Sequence, residues 1–373
     1  MTTTALWSRA QQQDFRARVR GCLLGGAIGD ALGAGIEFHS LHAIRDAHGP
    51  AGVRDYVRAY GRRGAVTDDT QMTLFTVDGL IRAEIRAEVR RDTAARDAPA
   101  DVHRAYLRWR ATQRHQGPDL RDPALGWLGR QEWLYSQRAP GNACLSGLDD
   151  DRMGTLAAPK NPESKGCGTV MRSAPFGLLV DREPAEVFRL AAECAAQTHG
   201  HPSGVLAAAA FAAIVHGIVR GGTPESSVHQ ALGLLAQWSG HEETTAALRQ
   251  ALDAVRQGAP SAERLEALGQ GWVAEEALAM GVYCALVAED MRHGLLLAVN
   301  HSGDSDSTGS LCGNLLGALH GETALPADLL AELEGRAVIA ELADDFAMEL
   351  TQASQLHGPE ATSTIWAERY PQM

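Results

Sequence analysis

The segment GCLLGGAIGDALGAGIEF, residues 21–38, has a glycine at every fourth position. These glycines are Gly21, Gly25, Gly29 and Gly33. Residues four apart lie on the same face of a helix, and a face without side chains lets another backbone approach closely. The segment therefore predicts a helix that packs tightly on a neighbour. Because it lacks GK[ST] and GxGxxG, it is neither a P-loop nor a dinucleotide-binding turn.

The same segment has two carboxylates, Asp30 and Glu37, in otherwise apolar surroundings. They are seven residues apart, so they lie at similar azimuths if the helix continues through both. Buried carboxylates are usually paired, which makes a helix cap or an ion pair the simplest interpretation of each. The alternative is that these carboxylates bind a ligand.

A second glycine-patterned segment is HSGDSDSTGSLCGNLLGALHG, residues 301–321, in which Gly309, Gly313 and Gly317 again recur every four positions. Its acidic start contains Asp304, Asp306 and Ser307. This start could form a helix cap, and no glutamate completes a calcium-binding loop of the EF-hand type. The other interpretation is a metal site built from carboxylate and hydroxyl oxygens.

A third segment, TDDTQMT at residues 67–73, also begins a predicted helix with adjacent acids. Thr67 or Asp68 could serve as the N-cap, and an acid in the first turn suits the helix dipole. With Asp69, the segment offers three hard oxygen donors of the kind that Mg²⁺ and Mn²⁺ prefer. If two such helix starts met, the carboxylates would repel one another unless a cation lay between them.

The segment SKGCGTVMRSAPFG, residues 164–177, and His199 form a fourth group. Gly166 and Gly168 would present backbone N–H groups suited to a diphosphate, and Lys165 could add a positive charge. The chain has only one other lysine. Each of these residues also has a purely structural interpretation, as a turn glycine, a surface charge or a helix end.

The remaining sequence favours an all-α fold. Alanine-rich segments with helical periodicity recur, whereas alternating runs of β-branched residues are almost absent. Helices are predicted at residues 14–32, 69–90, 185–197, 203–220, 242–256, 275–289, 307–320 and 326–353. We expect a compact single-domain multi-helix bundle over residues 1–373, with a core of about 18–321 and C-terminal helices in 322–373 packed on it. Residues 111–164 are predicted to be irregular, and 82–99 to be a solvated, fraying helix end.

Composition narrows the class of protein. The formal net charge of −12 argues against binding to a nucleic-acid backbone. Six scattered cysteines without CxxC spacing, and no apolar h-region in the first residues, favour a reduced cytoplasmic protein. The apolar run at residues 205–219 is shorter than a bilayer span, so we expect a buried core helix and no membrane association.

Taken together, GDALGAGIEF, TDDTQMT, KGCGTVMRSAPFGLL, THGHP and HSGDSDSTGSLCGNLLGALHG resemble the ADP-ribosylglycohydrolase family. That family includes dinitrogenase-reductase-activating glycohydrolases and arginine-specific ADP-ribosyl hydrolases. The resemblance spans residues 18–321. It implies an all-α domain with a two-metal site, usually Mg²⁺ or Mn²⁺, at the base of a cleft.

The resemblance also implies roles for residues. The implied metal ligands are Glu37, Thr67, Asp68, Asp69, Asp304, Asp306 and Ser307. The implied substrate-binding residues are Ser164, Lys165, Gly166, Gly168 and His199. Asp69, Glu37 and Asp68 are the catalytic candidates for cleavage of the N-glycosidic bond at the distal ribose, with water activated at the metals. Which carboxylate moves the proton stays open.

The sequence departs from the family pattern at Cys167, where many relatives have asparagine, and Ser307 stands where many have threonine. The motif DSDST, residues 304–308, resembles the arginine-specific branch more than the serine-specific one. The expected substrate is therefore ADP-ribosyl-arginine, and the expected product is ADP-ribose. Two alternatives stay open. One is an immunity or regulatory protein that binds an ADP-ribosyltransferase. The other is a hydrolase for serine, a nucleobase or O-acetyl-ADP-ribose.

Overall fold

The computed structural model describes residues 7–90, 96–357 and 365–372. Within these ranges the chain is helical and contains isolated β-bridges but no β-strand, which confirms the all-α prediction. The α-helices, in chain order, are α1 (Arg9–Gly33), α2 (Leu41–His48), α3 (Asp68–Arg90), α4 (Ala98–Thr112), α5 (Gly126–Gly129), α6 (Asn142–Gly147), α7 (Ala174–Gly177), α8 (Pro184–Ala195), α9 (Pro202–Val219), α10 (Pro224–Leu235), α11 (Glu242–Val255), α12 (Ala262–Glu266), α13 (Ala274–Val287), α14 (Met291–Val299), α15 (Ser305–His320), α16 (Ala327–Glu332), α17 (Arg336–His357) and α18 (Ile365–Arg369).

The two glycine-patterned helices, α1 and α15, pack directly on each other with their chains antiparallel. A Cβ atom built on Gly29 would lie 2.0 Å from the carbonyl oxygen of Gly309. A Cβ on Gly21 would lie 2.3 Å from the carbonyl oxygen of Gly317. Only glycine permits this backbone-to-backbone contact. As a result, the C-terminal end of α1 lies against the N-terminal end of α15.

Most predicted helices have counterparts within two residues at each end, but the predicted helix over residues 326–353 is wrong as a single element. It is divided into α16 and α17, with Gly335 between them at a φ of 67°. This left-handed backbone conformation interrupts the helical path. Sequence periodicity did not reveal the break, because apolar residues continue on both sides of it.

The solvated character predicted for residues 82–99 is also wrong at its start. Arg82 and Glu84 are buried, and each forms ion pairs, Arg82 with Asp78 and Glu84 with Arg182. Tertiary contacts therefore cover a face that looks polar in the sequence. Residues 91–95 lie outside the described residues.

The apolar helix α9 lies in the core between α8, α10 and α13. By length and composition it could cross a membrane, and 89% of the helix is buried inside the protein. It is the sole helix of this kind in the part of the chain that the structure describes. The prediction of a buried core helix is confirmed for this segment.

The C-terminal region packs on α1 and α3 and also supports the segment that precedes α3. Glu334, just before α17, accepts hydrogen bonds from Arg138 and from the backbone N–H of Val66. Arg138 in turn donates to the carbonyl oxygen of Val66 at 2.9 Å. This buried ion pair fixes the chain immediately before Thr67, where the acidic start of α3 begins.

Candidate active site

A cavity of about 420 Å³ opens where α1 ends and α3 and α15 begin. Ten of the residues that the sequence singled out line its wall. They are Glu37, Asp68, Asp69, Ser164, Gly166, Gly168, His199, Asp304, Asp306 and Ser307. The fold thus brings together residues as far apart in the chain as 37 and 307. Two predicted site residues, Thr67 and Lys165, are not on this wall.

The glycine packing of α1 on α15 determines how close the carboxylates come. A Cβ on Gly33 would lie 2.3 Å from the backbone nitrogen of Asp306, so the two helix ends are in contact. Carboxylate oxygens of Glu37, Asp304 and Asp306 lie within 4.8 Å of one another. Helix α1 ends at Gly33, so Glu37 lies in the turns that follow it, and the condition that one helix continues through both Asp30 and Glu37 is not met.

Asp30 does not line the cavity but holds the start of α3. Its carboxylate accepts hydrogen bonds from the Thr67 N–H at 2.9 Å, the Thr70 N–H at 3.1 Å and the Thr70 hydroxyl at 2.5 Å. The Thr67 hydroxyl accepts from the Asp69 N–H at 3.3 Å. Other groups therefore cap α3, which leaves the carboxylates of Asp68 and Asp69 available to the cavity.

The buried carboxylates of the acidic cluster are unfavourable in their ionised form when no cation is bound. Burial, followed by the charge of Asp306, raises the pKa of Asp68, Asp69 and Asp304 well above the usual range. The same two causes raise the pKa of Glu37 to about 10. Each carboxylate is thus driven toward its neutral form by low dielectric and like charge. A bound cation would reverse this effect.

The donor set fits a hard divalent cation. Oε2 of Glu37 and Oδ1 of Asp69 are buried and have no hydrogen-bond partner among the described residues. Buried polar atoms normally have partners, so an unpaired carboxylate oxygen on a cavity wall is a position for a ligand. Mg²⁺ and Mn²⁺ prefer carboxylate and hydroxyl oxygens, which are the donors present here.

The glycine segment forms another part of the wall, next to His199. A Cβ on Gly166 would lie 3.4 Å from His199 Nε2, and a Cβ on Gly168 would lie 2.6 Å from Cys144 Sγ. Side chains at these two positions would therefore crowd the wall. A three-residue 3₁₀-helix, Cys167–Thr169, follows Gly166. The Cys167 N–H is used in a hydrogen bond to the Trp272 carbonyl at 3.1 Å.

The side chain of Lys165 is engaged away from the cavity wall. Its ammonium group lies 2.8 Å from Glu243 and 2.5 Å from Glu275, and these hydrogen bonds raise the pKa of Lys165. The backbone carbonyl of Lys165 accepts from the Ala274 N–H at 2.9 Å. The lysine thereby anchors the glycine segment to α13. In this geometry Lys165 does not contribute to the cavity the positive charge that the sequence had suggested.

Sequence reasoning missed several residues of the cavity wall. Phe38 and Trp272 are exposed aromatic residues whose rings stack with centroids 5.7 Å apart. Residues 139–143, which lead into α6, and Cys167 and Met171 complete the wall. Neither periodicity nor a local motif distinguishes these residues from core or surface ones. The aromatic residue directly after Glu37 was the available signal, but its exposure is a property of the fold.

The raised carboxylate pKa values predict how pH affects the metal-free protein. Burial and Asp306 raise the pKa of Asp30 to about 7 and that of Glu37 to about 10, from ordinary values of 3.8 and 4.5. The folded state then binds more protons than the unfolded state above pH 4.5, so stability falls as pH rises through 7 toward 10. Thermal melting in EDTA should give a lower melting temperature at pH 8.5 than at pH 5.5. A higher temperature at pH 8.5 would contradict this electrostatic picture.

Comparison with known proteins identifies the family of this chain. The sequence profile of the ADP-ribosylglycohydrolase family matches residues 11–357, and the chain belongs to that family. It is 25% identical to the ADP-ribosyl-[dinitrogen reductase] glycohydrolase of Rhodospirillum rubrum, over 85% of this chain and 90% of that protein. It is 27% identical to an uncharacterised protein of Archaeoglobus fulgidus, over 87% and 94% of the respective chains.

Among solved structures, the chain is similar to an ADP-ribosylglycohydrolase-related protein complex with a TM-score of 0.62. The match has 24% identity and covers 91% of this chain and 99% of that one, which shows a shared fold. The predicted family and fold are therefore confirmed. Family membership supports a glycohydrolase that removes ADP-ribose by hydrolysis. The roles of the individual residues stay predictions.

Proposed function

We propose that this protein is a metal-dependent hydrolase that removes ADP-ribose from modified arginine side chains. The observation that carries the proposal is the meeting of Glu37, Asp304 and Asp306 within 4.8 Å, in a cavity that Asp69 and the glycine segment also line. Such a convergence costs free energy in the absence of a ligand, because like charges are buried together. A site for cations and a sugar explains it.

Two Mg²⁺ or Mn²⁺ ions are the proposed cofactors. Their proposed ligands are Glu37, Thr67, Asp68, Asp69, Asp304, Asp306 and Ser307. Thr67 is buried and does not line the wall. Burial raises the pKa of Asp306, and the hydrogen bond from the Thr67 hydroxyl counteracts part of this increase. When bound, such ions act as Lewis acids, orient hydroxyl groups and lower the pKa of a bound water.

In the reaction, the bond between the distal ribose C1″ and the guanidino nitrogen breaks, and water supplies a hydroxyl to C1″ and a proton to the leaving nitrogen. A carboxylate must hold or transfer that proton. Glu37 and Asp69 are the proposed groups, because each has one oxygen without a partner on the cavity wall. Asp68 lines the same wall and is the third candidate.

The part of the wall formed by the glycine segment is proposed to hold the diphosphate and the adjacent ribose. Ser164, Gly166, Gly168 and His199 line this wall and offer small, polar or backbone contacts. Lys165 contributes indirectly by anchoring the segment through Glu243 and Glu275. A side chain at position 168 would clash with Cys144. Glycine at this position therefore leaves this part of the cavity open.

The proposal of arginine as the acceptor rests on the motif DSDST at residues 304–308, which resembles the arginine-specific branch of the family. In addition, the glycohydrolase of Rhodospirillum rubrum that resembles this chain is named for action on ADP-ribosyl-[dinitrogen reductase]. A cytoplasmic location and an ADP-ribosyltransferase partner stay predictions.

The test is release of free ADP-ribose from a protein carrying ADP-ribosyl-arginine, with Mg²⁺ or Mn²⁺ and with EDTA. Matched substrates carrying ADP-ribosyl-serine and an ADP-ribosylated nucleobase identify the acceptor. We expect release from arginine that EDTA abolishes and restored metal recovers. Release that is unaffected by EDTA would reject the metal requirement, and no release from arginine, with an active relative as control, would reject the assignment.

An Asp68→Ala/Asp69→Ala variant separates hydrolysis from a purely blocking role against a transferase. Hydrolysis requires these carboxylates, whereas a surface that occludes a partner does not. If the variant still inhibited an ADP-ribosyltransferase as well as the wild type, the immunity alternative would be favoured. Loss of ADP-ribose release together with loss of any inhibition of the transferase supports the hydrolase.

A further inference from the structure

The ring of His199 has two nitrogen atoms in different surroundings. Nδ1 lies 2.8 Å from the hydroxyl oxygen of Thr198. Nε2 has no hydrogen bond within the described part of the chain, and it faces the glycine segment of the cavity wall. Cβ atoms built on Gly166 and Gly168 would lie 3.4 Å and 3.5 Å from it. The proton position on the ring therefore depends on Thr198.

The surroundings of Thr198 determine where its hydroxyl proton lies. Arg172 donates from Nη2 to Thr198 Oγ1 at 2.7 Å, and a guanidinium can only donate. The hydroxyl can then give its own proton to His199 Nδ1 at 2.8 Å or to the Ala195 carbonyl at 3.5 Å. That carbonyl already accepts from the backbone N–H groups of Thr198 and His199 at 3.1 and 3.0 Å. Nδ1 is the better acceptor.

The ring is also neutral. Burial, and secondarily the charge of Arg172, lowers the pKa of His199 to about 3. A neutral imidazole has one donor and one acceptor nitrogen, so a ring that accepts at Nδ1 must carry its hydrogen at Nε2.

We infer that Arg172, acting through Thr198, holds His199 as a neutral ring that donates an Nε2–H hydrogen bond into the cavity. A donor at this position suits an anionic oxygen beside Gly166 and Gly168. Identifying that oxygen as part of the ADP-ribose diphosphate rests on the proposed function. His199 is then a hydrogen-bond donor to the ligand and not a general base, since its basic nitrogen is occupied. Arg172 and Thr198 are positioning residues.

This arrangement also accounts for the burial of Arg172, which has no carboxylate partner among the described residues. Besides Thr198, its guanidinium contacts the ring of Tyr106 at 4.4 Å and the sulfur atoms of Cys144 and Met72 at 3.4 and 3.5 Å. A buried charge without an ion-pair partner is costly. The contact with the Tyr106 ring and the hydrogen bond to Thr198 offset part of that cost.

The direct test is nitrogen NMR of the ¹⁵N-labelled full chain at neutral pH, without metal or ligand. The His199 signals are assigned by comparison with a His199→Gln variant. We expect a protonated Nε2 and an unprotonated Nδ1. A protonated Nδ1, or a doubly protonated ring, would overturn the inference. Because no substrate is present, this result is independent of whether the proposed hydrolysis occurs.

The second test is calorimetric binding of ADP-ribose in Mg²⁺. His199→Gln, whose amide nitrogen can take the place of Nε2, should stay within about threefold of the wild type. His199→Ala should lose about tenfold, the equivalent of one hydrogen bond. Thr198→Val should weaken binding similarly and alter the NMR signature, and Thr198→Ser should restore both. Equal binding by Thr198→Val with an unchanged signature would refute the positioning role. Failure of the wild type to bind ADP-ribose would instead count against the proposed function.

Discussion

The substitution Asp69→Asn is expected to slow ADP-ribose release by about 10²- to 10⁴-fold, the range for loss of an acid or base group. Asp69 lies in the first turn of α3, lines the cavity and has one buried oxygen without a partner. An amide keeps the shape of the side chain but cannot accept a proton or bind a divalent cation as strongly. Activity should therefore fall without a change in fold.

The same substitution should stabilise the protein in EDTA. Burial, then Asp306 and Asp68, raises the pKa of Asp69, so its charge opposes folding when no cation is bound. Removing the charge gives up a helix-dipole interaction of about 0.3–1 kcal/mol, which the relief of repulsion should exceed. We expect a higher melting temperature in EDTA and a smaller increase on adding Mg²⁺ than the wild type shows.

Asp253→Asn is the matched control for this substitution. Asp253 lies on α11, is largely exposed and faces Arg256 at 3.7 Å, so its loss should change neither melting temperature nor activity appreciably. Asp69→Asn protein that is less stable than wild type in EDTA would show that the carboxylate makes a favourable contact, and the argument from like-charge repulsion would fail. Undiminished hydrolysis would remove Asp69 from the reaction.

The substitution Gly313→Ala should destabilise the protein by about 3 kcal/mol or more, the upper end for overpacking. A Cβ at this position would lie 2.0 Å from the carbonyl oxygen of Gly25, and no rotamer change can relieve a clash with backbone. The helices α1 and α15 would have to separate. Because these helices place Glu37 and Asp306, hydrolysis should decrease together with stability.

Gly233→Ala, in α10, is the control, and its expected change in stability has the opposite sign. Gly233 is exposed, and a Cβ there would meet nothing within 4 Å. Alanine favours helix over glycine by about 1 kcal/mol, so this variant should be slightly more stable than wild type. Urea unfolding of both variants measures the contrast. If Gly313→Ala were as stable as Gly233→Ala, close backbone packing would not hold α1 against α15.

Periodicity and motif residues were sufficient for part of this fold. The positions of α1, α3, α9 and α15 followed from apolar and glycine spacing, since a helical repeat is a local property of sequence. The division at Gly335 and the burial of Arg82 could not be predicted in this way. The first depends on a single left-handed residue, and the second on the packing of the C-terminal segment, where the Pro371 carbonyl accepts a hydrogen bond from Arg82 at 2.7 Å.

The candidate site, too, could be predicted from the sequence only in part. Oxygen-rich helix starts were visible in the sequence, and most of these residues line one cavity. Lys165 is an exception. Its rare positive charge beside two glycines suggested contact with an anionic ligand, but its ammonium group is paired with two carboxylates from other segments. The hydrogen-bonded chain from Arg172 to His199 was equally invisible. Its residues have no shared spacing that marks them as partners.

The sequence by itself determined the helical class, the family and the identity of the acidic and glycine-rich segments, because periodicity and side-chain chemistry are carried by each segment separately. Only the tertiary structure decided which oxygens converge, which of them lack partners, and which charges are neutralised by neighbours. The reason is physical. Coulomb energy, desolvation and hydrogen bonding depend on distances between atoms, and those distances are set here by two glycine faces whose backbones touch.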